Sequence, residues 1–160
     1  MAFRYSDQEI EGLVLERKCL PANYPSCLRL RPKRGHKERD LDMHGERGNK
    51  FRLILRQSIF NPLDFSLILA YSSPYTNRLF RLRRYDGKSH EHTNRIEGNT
   101  FYDFHIHTAT ARYQELGTAE DAYAEPTDRF SDIHSAAQCL FEDCGMEVPR
   151  DLQGVPFEER

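Results

Sequence analysis

Residues Phe80–Tyr113 read FRLRRYDGKSHEHTNRIEGNTFYDFHIHTATARY, and this stretch decides both the fold and where to look for chemistry. It holds four of the seven histidines, as the pairs His90-x-His92 and His105-x-His107. Its last part alternates: Tyr102, Phe104 and Ile106 fall on one side of an extended chain, and Asp103, His105 and His107 on the other. One side is apolar enough to pack; the other presents a carboxylate and two imidazoles in a row. The first part alternates as well, with Phe80 and Leu82 opposite Arg81 and Arg83 over a predicted strand 79–85. Asp86-Gly87 turns the chain, although the span to the predicted strand 101–108 is too long for a tight hairpin.

The same period continues upstream. Phe51, Leu53 and Leu55 alternate with Arg52 and Arg56. Residues 65–71, FSLILAY, are apolar on both faces apart from Ser66, as in a central strand covered on both sides. Shorter strands are predicted at 27–31 and 41–46, with the basic run RPKRGHKERD (31–40) between them as a loop or frayed hairpin. Ser6-x-x-Glu9 is a capping box that opens a helix carrying Ile10, Leu13 and Val14. Downstream, Ala111–Leu116 reads as a helical turn closed by Gly117, and Thr118–Asp128 as an acidic connection. Phe130, Ile133, Ala137, Leu140, Phe141 and Cys144 then recur at helical spacing, ended by Gly145 and Pro149. The expected fold is α+β: a mostly antiparallel sheet of about five or six strands, with an N-terminal and a C-terminal helix on one face and the other face partly open. A single domain is expected over 1–149, followed by a loose tail at 150–160.

Charge is unevenly spread. The net charge is −2, yet residues 114–160 hold 12 acids and 3 bases, so residues 1–113 carry a balance of +7. A basic body beside an acidic segment implies one surface that attracts an anion and another that repels or covers it. No apolar run is long enough for a bilayer span and no secretory leader is visible, so a soluble, cytoplasmic protein with no membrane partner is expected. The four cysteines show no CxxC spacing and read as buried thiols.

If the three strands are neighbours, Arg52, Arg56, Arg81, Arg83, Asp103, His105 and His107 form one polar patch. Histidine titrates near neutrality, so one ring can accept a proton while another donates; arginine forks onto phosphate oxygens. These are the parts of metal-independent RNA cleavage. His105 and His107 are the acid/base candidates, with His90 and His92 assisting. Arg81, Arg83, Arg84, Arg95 and Lys88 would bind phosphate, Tyr85 and Tyr113 would stack on bases, and Asp103 and Asp86 would orient the imidazoles. The same histidines could hold zinc, but that many arginines oppose a cation; no metal and no cofactor are expected. There is no nucleophile elbow, P-loop or GxGxxG.

RYDG-x-SH-x-H (84–92) followed by FYDFHIH (101–107) resembles small bacterial proteins that have a basic-aromatic RYD strand, a histidine-bearing loop and an FHxH-type strand. Some of these sit beside small helix-turn-helix partners. The resemblance implies a ribonuclease toxin of a toxin–antitoxin pair, and marks Arg84, Tyr85, Asp86, His90, His105 and His107. The expected function is therefore an endoribonuclease acting on single-stranded RNA, with RNA and an antitoxin-like protein as partners. The rival is a non-enzymatic inhibitor or adaptor that docks through the basic patch or the acidic C-terminal helix.

Overall fold

In the computed structural model, residues 4–27, 29–117 and 119–149 are described. In chain order the elements are α1 (Asp7–Leu15), β1 (Lys18–Cys19), α2 (Tyr24–Cys27), β2 (Arg31–Lys33), β3 (His36–His44), β4 (Lys50–Ser58), β5 (Phe65–Ser72) and β6 (Phe80–Asp86). They continue with β7 (His92–Thr93), β8 (Thr100–Phe101), β9 (His105–Thr108), α3 (Ala111–Leu116), β10 (Ala124–Pro126), α4 (Ile133–Asp143) and β11 (Met146–Glu147). Seven strands form one antiparallel sheet in the order β10-β9-β6-β5-β4-β3-β2. The fold is α+β, and β5 lies at the centre of the sheet as its apolar sequence requires.

One face of the sheet is the core. Phe51, Leu53 and Leu55 of β4, Leu67 and Leu69 of β5 and Tyr85 of β6 are buried there, beneath Ile10 and Val14 of α1 and Ala136, Ala137 and Leu140 of α4. The Ser6–Glu9 capping box is present, each side chain accepting from the other's backbone N–H, and helps α1 by about 1 kcal/mol. Asp132 caps α4 in the same way with Ser135. Gly117 ends α3 at φ 81°, the left-handed region that only glycine enters freely.

Several boundaries differ from the sequence reading. The predicted strand at 27–31 is replaced by α2 and the start of β2, and residues 31–40 are an ordered two-stranded hairpin closed by Arg34-Gly35. The hairpin becomes regular because Lys33 pairs with His36 across a turn in which Gly35 takes φ 72°. The strand predicted over 101–108 divides into β8, which pairs with β7, and β9, which enters the main sheet. The acidic connection contains β10, an edge strand beside β9. The predicted tail at 150–160 lies outside the described residues.

The arginines of β6 depart most from simple alternation. Ala70 of β5 pairs with Arg81 and Leu69 with Arg83, so Leu82 is the additional residue of a bulge. Past the bulge the faces exchange. Arg83 lies on the helix side, 3.9 Å from Asp143 of α4, while Arg84 joins Arg81 on the opposite face. The predicted pairing of Arg81 with Arg83 on one surface is thereby corrected.

Lys18 ties the two helices together. It is fully buried, and its Nζ donates to the carbonyls of Leu13, Val14 and Glu16 at the end of α1 and of Cys144 after α4, at 2.7–3.0 Å. Burial lowers its ammonium to about 8, against smaller opposing effects of Cys144 and Glu16, so it still carries its donors at pH 7. Helix C-terminal carbonyls have no partner of their own, and Lys18 supplies one to both helices. Replacing it with Met leaves those acceptors buried and unmet; Lys18→Met is expected to lower unfolding stability by about 2–4 kcal/mol in urea titration.

Candidate functional site

On the face away from the helices, β6 and β9 set two rows of side chains against each other. Asp86 pairs in register with His105, and Arg84 with His107. Residues 87–104, which contain the β7–β8 hairpin, cover these rows instead of leaving them open. His105 and His107 are consequently only 1% and 2% exposed, and Asp86 4%. The expectation of an open face at the histidines is corrected here: its position in the fold is right, its accessibility is not.

The cover is fastened at several points. Asn94, buried, accepts from the Ala124 N–H of β10 at 2.9 Å and donates to the Ala124 carbonyl at 2.7 Å. The Tyr113 hydroxyl accepts from the Ile96 N–H and donates to Glu97 at 2.7 Å, and Arg112 also holds Glu97 at 2.7 Å. At Gly87 any Cβ would collide with the Leu63 carbonyl, so only glycine lets the chain leave β6 in this direction. Phe101 packs on His92 and His105, with ring centroids 5.4 and 5.6 Å apart.

Under the cover, His92, His105 and His107 converge, offering one ring nitrogen each, all within 4.8 Å of one another. Their tautomers follow from their partners. His105 Nδ1 lies 2.7 Å from the Asp103 carbonyl and His107 Nδ1 lies 2.7 Å from the Asp121 carbonyl; a carbonyl only accepts, so both Nδ1 atoms carry hydrogen. His92 Nε2 lies 2.9 Å from Asn94 Oδ1, an atom already identified as an acceptor by the Ala124 N–H, so His92 donates from Nε2. Each ring thus has one nitrogen tied to an oxygen. The opposite nitrogens, Nε2 of His105 and of His107, point towards Asp86 Oδ2, at 3.4 and 3.3 Å.

The electrostatics are those of a crowded, dry site. Burial alone would raise the Asp86 carboxyl, but His105, His107 and Arg84 outweigh it and hold the group well below the usual carboxylate range. Burial lowers His107, opposed by Asp86 and reinforced by Arg84, whose guanidinium donates to its Nε2 at 2.9 Å. His92 is lowered too, chiefly by burial. Among the described residues, Asp86 Oδ1, His105 Nε2, Arg84 Nε and Asp121 Oδ2 are buried without a hydrogen-bond partner, although Arg84 is ion-paired with Asp86 at 3.2 Å and with Asp121 at 3.6 Å. Such unmet polar atoms side by side are rare, and they point to something the site is shaped to receive.

The other expected site residues divide. Arg81 and Arg84 reach the site but are held by Asp121, at 3.4 and 3.6 Å, and Arg81 also by Glu120. Tyr85 lies in the core, its hydroxyl donating to Asp143 at 2.6 Å, and Tyr113 is buried under the cover; neither ring is free to stack on a base. Asp103 orients His105 through its backbone carbonyl, with its side chain exposed. Tyr102, expected on the packed side, is half exposed beneath Lys88, whose Nζ lies 5.7 Å from the ring centroid. Arg95 is exposed. His90 is exposed at the rim, its ring centroid 6.3 Å from that of His105 and its Nδ1 3.1 Å from Ser89 Oγ. Asn94 and Asp121 were not legible as site residues, because they act through contacts and backbone groups brought in by tertiary structure.

The lowered proton affinities of His107, buried, and His92, half-buried, make stability depend on acidity. Their folded-state pKa values lie below the unfolded value of about 6.5, so the unfolded chain binds more protons there and stability is lost as pH falls from about 7 to 5. The melting temperature is expected to fall across that window, and less steeply in His92→Gln; equal slopes for both proteins would contradict the assignment.

No family model, curated protein or solved structure matches this chain.

Proposed function

We propose that this protein binds a divalent transition-metal ion, held by His92, His105 and His107 with Asp86 beside them, and that the ion is the source of the site's chemistry. One observation carries the reading: a buried carboxylate oxygen lies 3.3 and 3.4 Å from two imidazole nitrogens whose hydrogens are on the other side of the ring. With Nδ1 of each ring tied to a carbonyl, Nε2 is left to share a bound cation with the carboxylate. A tetrahedral ion with donor bonds of about 2.0–2.1 Å sets its donors about 3.3–3.4 Å apart, since the edge is roughly 1.63 times the bond; the Asp86 contacts match that edge, and the histidine nitrogens, within 4.8 Å of one another, would draw together around the ion. The outer contacts fit as well, because metal-bound histidines commonly donate their remaining N–H to a carbonyl or side-chain oxygen. Imidazole with one carboxylate suits zinc, iron or nickel better than magnesium or calcium.

Arg84 is the competing cation. Its NH2 group occupies the His107 lone pair, and the incoming ion would displace it towards Asp121, whose Oδ2 lacks a hydrogen-bond partner. Bound there, a metal with an exchangeable position would polarise water for hydrolysis. Metal-free cleavage of single-stranded RNA is a second reading, favoured by the unpartnered His105 Nε2, which could take a proton. That reading requires the 87–104 cover to lift before RNA reaches either buried histidine.

Untagged protein dialysed against zinc is expected to retain about one equivalent, and His105→Ala and His107→Ala to retain almost none, with His90→Ala unchanged. Saturating zinc would raise the melting temperature by several degrees, as about 2.7 kcal/mol at a hundredfold excess over Kd implies. Less than a tenth of an equivalent in the wild type contradicts the proposal. RNA cleavage that persists in EDTA and disappears in His105→Ala would favour the metal-free reading.

A further inference from the structure

A second feature lies at the end of the sheet, outside the histidine site. The β4–β5 connection, Ile59-Phe60-Asn61-Pro62-Leu63, holds Phe60 at 83% exposure, with Ile59 51% and Leu63 38% exposed. An exposed phenylalanine in a floppy loop would mean little. This loop is built. Ser58 Oγ accepts from the N–H groups of Phe60 and Asn61, Asn61 Oδ1 from that of Leu63, and the Gln57 amide donates to the Pro62 carbonyl, at 3.0–3.2 Å. Ile59 N–H also donates to the Gly35 carbonyl, which fixes this tip against the basic turn of the β2–β3 hairpin.

That neighbouring tip supplies positive charge. Lys33, His36 and Arg56 share the single carboxylate of Glu38, at 2.8, 3.2 and 3.7 Å. Arg31, Arg34 and Lys37 have no carboxylate within 4.0 Å among the described residues. Between the two tips lies a polar cavity of about 340 Å³, whose walls include Arg34, His36, Arg56, Ser58 and Ser66. Asp64 is the acidic side chain in that wall and is engaged by Ser89 at 3.2 Å.

We infer that the paired tips form a single-stranded nucleic-acid binding site, in which a base stacks on the presented ring of Phe60 and the adjoining backbone phosphate enters the cavity beside Arg34 and Arg56. An aromatic face next to forked cations is the arrangement that grips single strands without reading their sequence, the base supplying a π-face and the phosphate the charge. The site stands independently of any metal. It is joined to the histidine cluster through the sheet, since Ser66 in the cavity wall is the register partner of Asp86.

The test is fluorescence anisotropy of a labelled twelve-nucleotide oligouridine with the full chain, in EDTA, at low and moderate salt. The wild type is expected to bind, with affinity falling as salt rises. Phe60→Leu should weaken binding about tenfold, and Phe60→Trp should retain it, because stacking needs a ring and not merely an apolar group. Arg34→Gln should weaken binding and make its salt dependence shallower by about one ion. Both side chains are at the surface, and unchanged melting temperatures verify that the three variants are folded. No binding by the wild type, or equal binding by Phe60→Leu, overturns the proposal; the latter result would assign the tip to an apolar pocket on a protein partner. Oligouridine binding is measured in EDTA and zinc retention in the absence of RNA, so failure of the metal reading and failure of this one are read separately.

Discussion

A carboxylate at the buried end of β6 must be neutralised, and the arrangement around it follows from that need. Asp86 is nearly inaccessible, and an isolated charge in that position would cost several kcal/mol. β6 itself supplies the positive charge of Arg84, β9 sets His105 in register with Asp86 and His107 in register with Arg84, and the β7–β8 hairpin closes over the group with His92. The cover is possible because its own polar groups find partners, Asn94 on β10 and Glu97 on α3. Burial, charge pairing and covering segment therefore stand or fall together.

The bulge at Leu82 has a comparable reach. By exchanging the faces of β6 it sends Arg83 to Asp143 on α4 and keeps Arg81 and Arg84 with Glu120 and Asp121. The uneven charge of the chain is thus satisfied in part within the fold: carboxylates from the acidic C-terminal third neutralise arginines of the basic body. This weakens the sequence argument for an adaptor docking through that charge split, because Glu120, Asp121 and Asp143 are engaged internally. At the β2–β3 tip, by contrast, Arg31, Arg34 and Lys37 have no carboxylate within 4.0 Å among the described residues.

Much of the architecture was legible because it rests on local rules. The alternation of Phe51–Arg56 and Phe65–Tyr71, the Ser6–Glu9 capping box and the Gly117 stop each report short-range physics, and each appears where expected. What failed depended on tertiary structure. Alternation cannot announce a bulge, so Arg81 and Arg83 were assigned one face. It shows that His105 and His107 share a side but cannot show that a segment starting at Gly87 folds over them. Tyr85 and Tyr113 look like stacking residues by type, and only their hydroxyl partners, Asp143 and Glu97, reveal them as structural. His90 and His92, two apart in sequence, separate into a rim residue and a member of the buried cluster.

The central claim is that His105 and His107 keep their hydrogens on Nδ1 and present Nε2 lone pairs to a cation beside Asp86. Long-range ¹H–¹⁵N correlation spectra of the metal-free protein at neutral pH, repeated after one equivalent of zinc, test it directly. The account requires both rings to show the Nδ1–H tautomer before addition, and both Nε2 resonances to move to metal-bound positions afterwards while the Nδ1 hydrogens remain. Nε2–H tautomers in the free protein, or spectra unchanged by zinc, would contradict it.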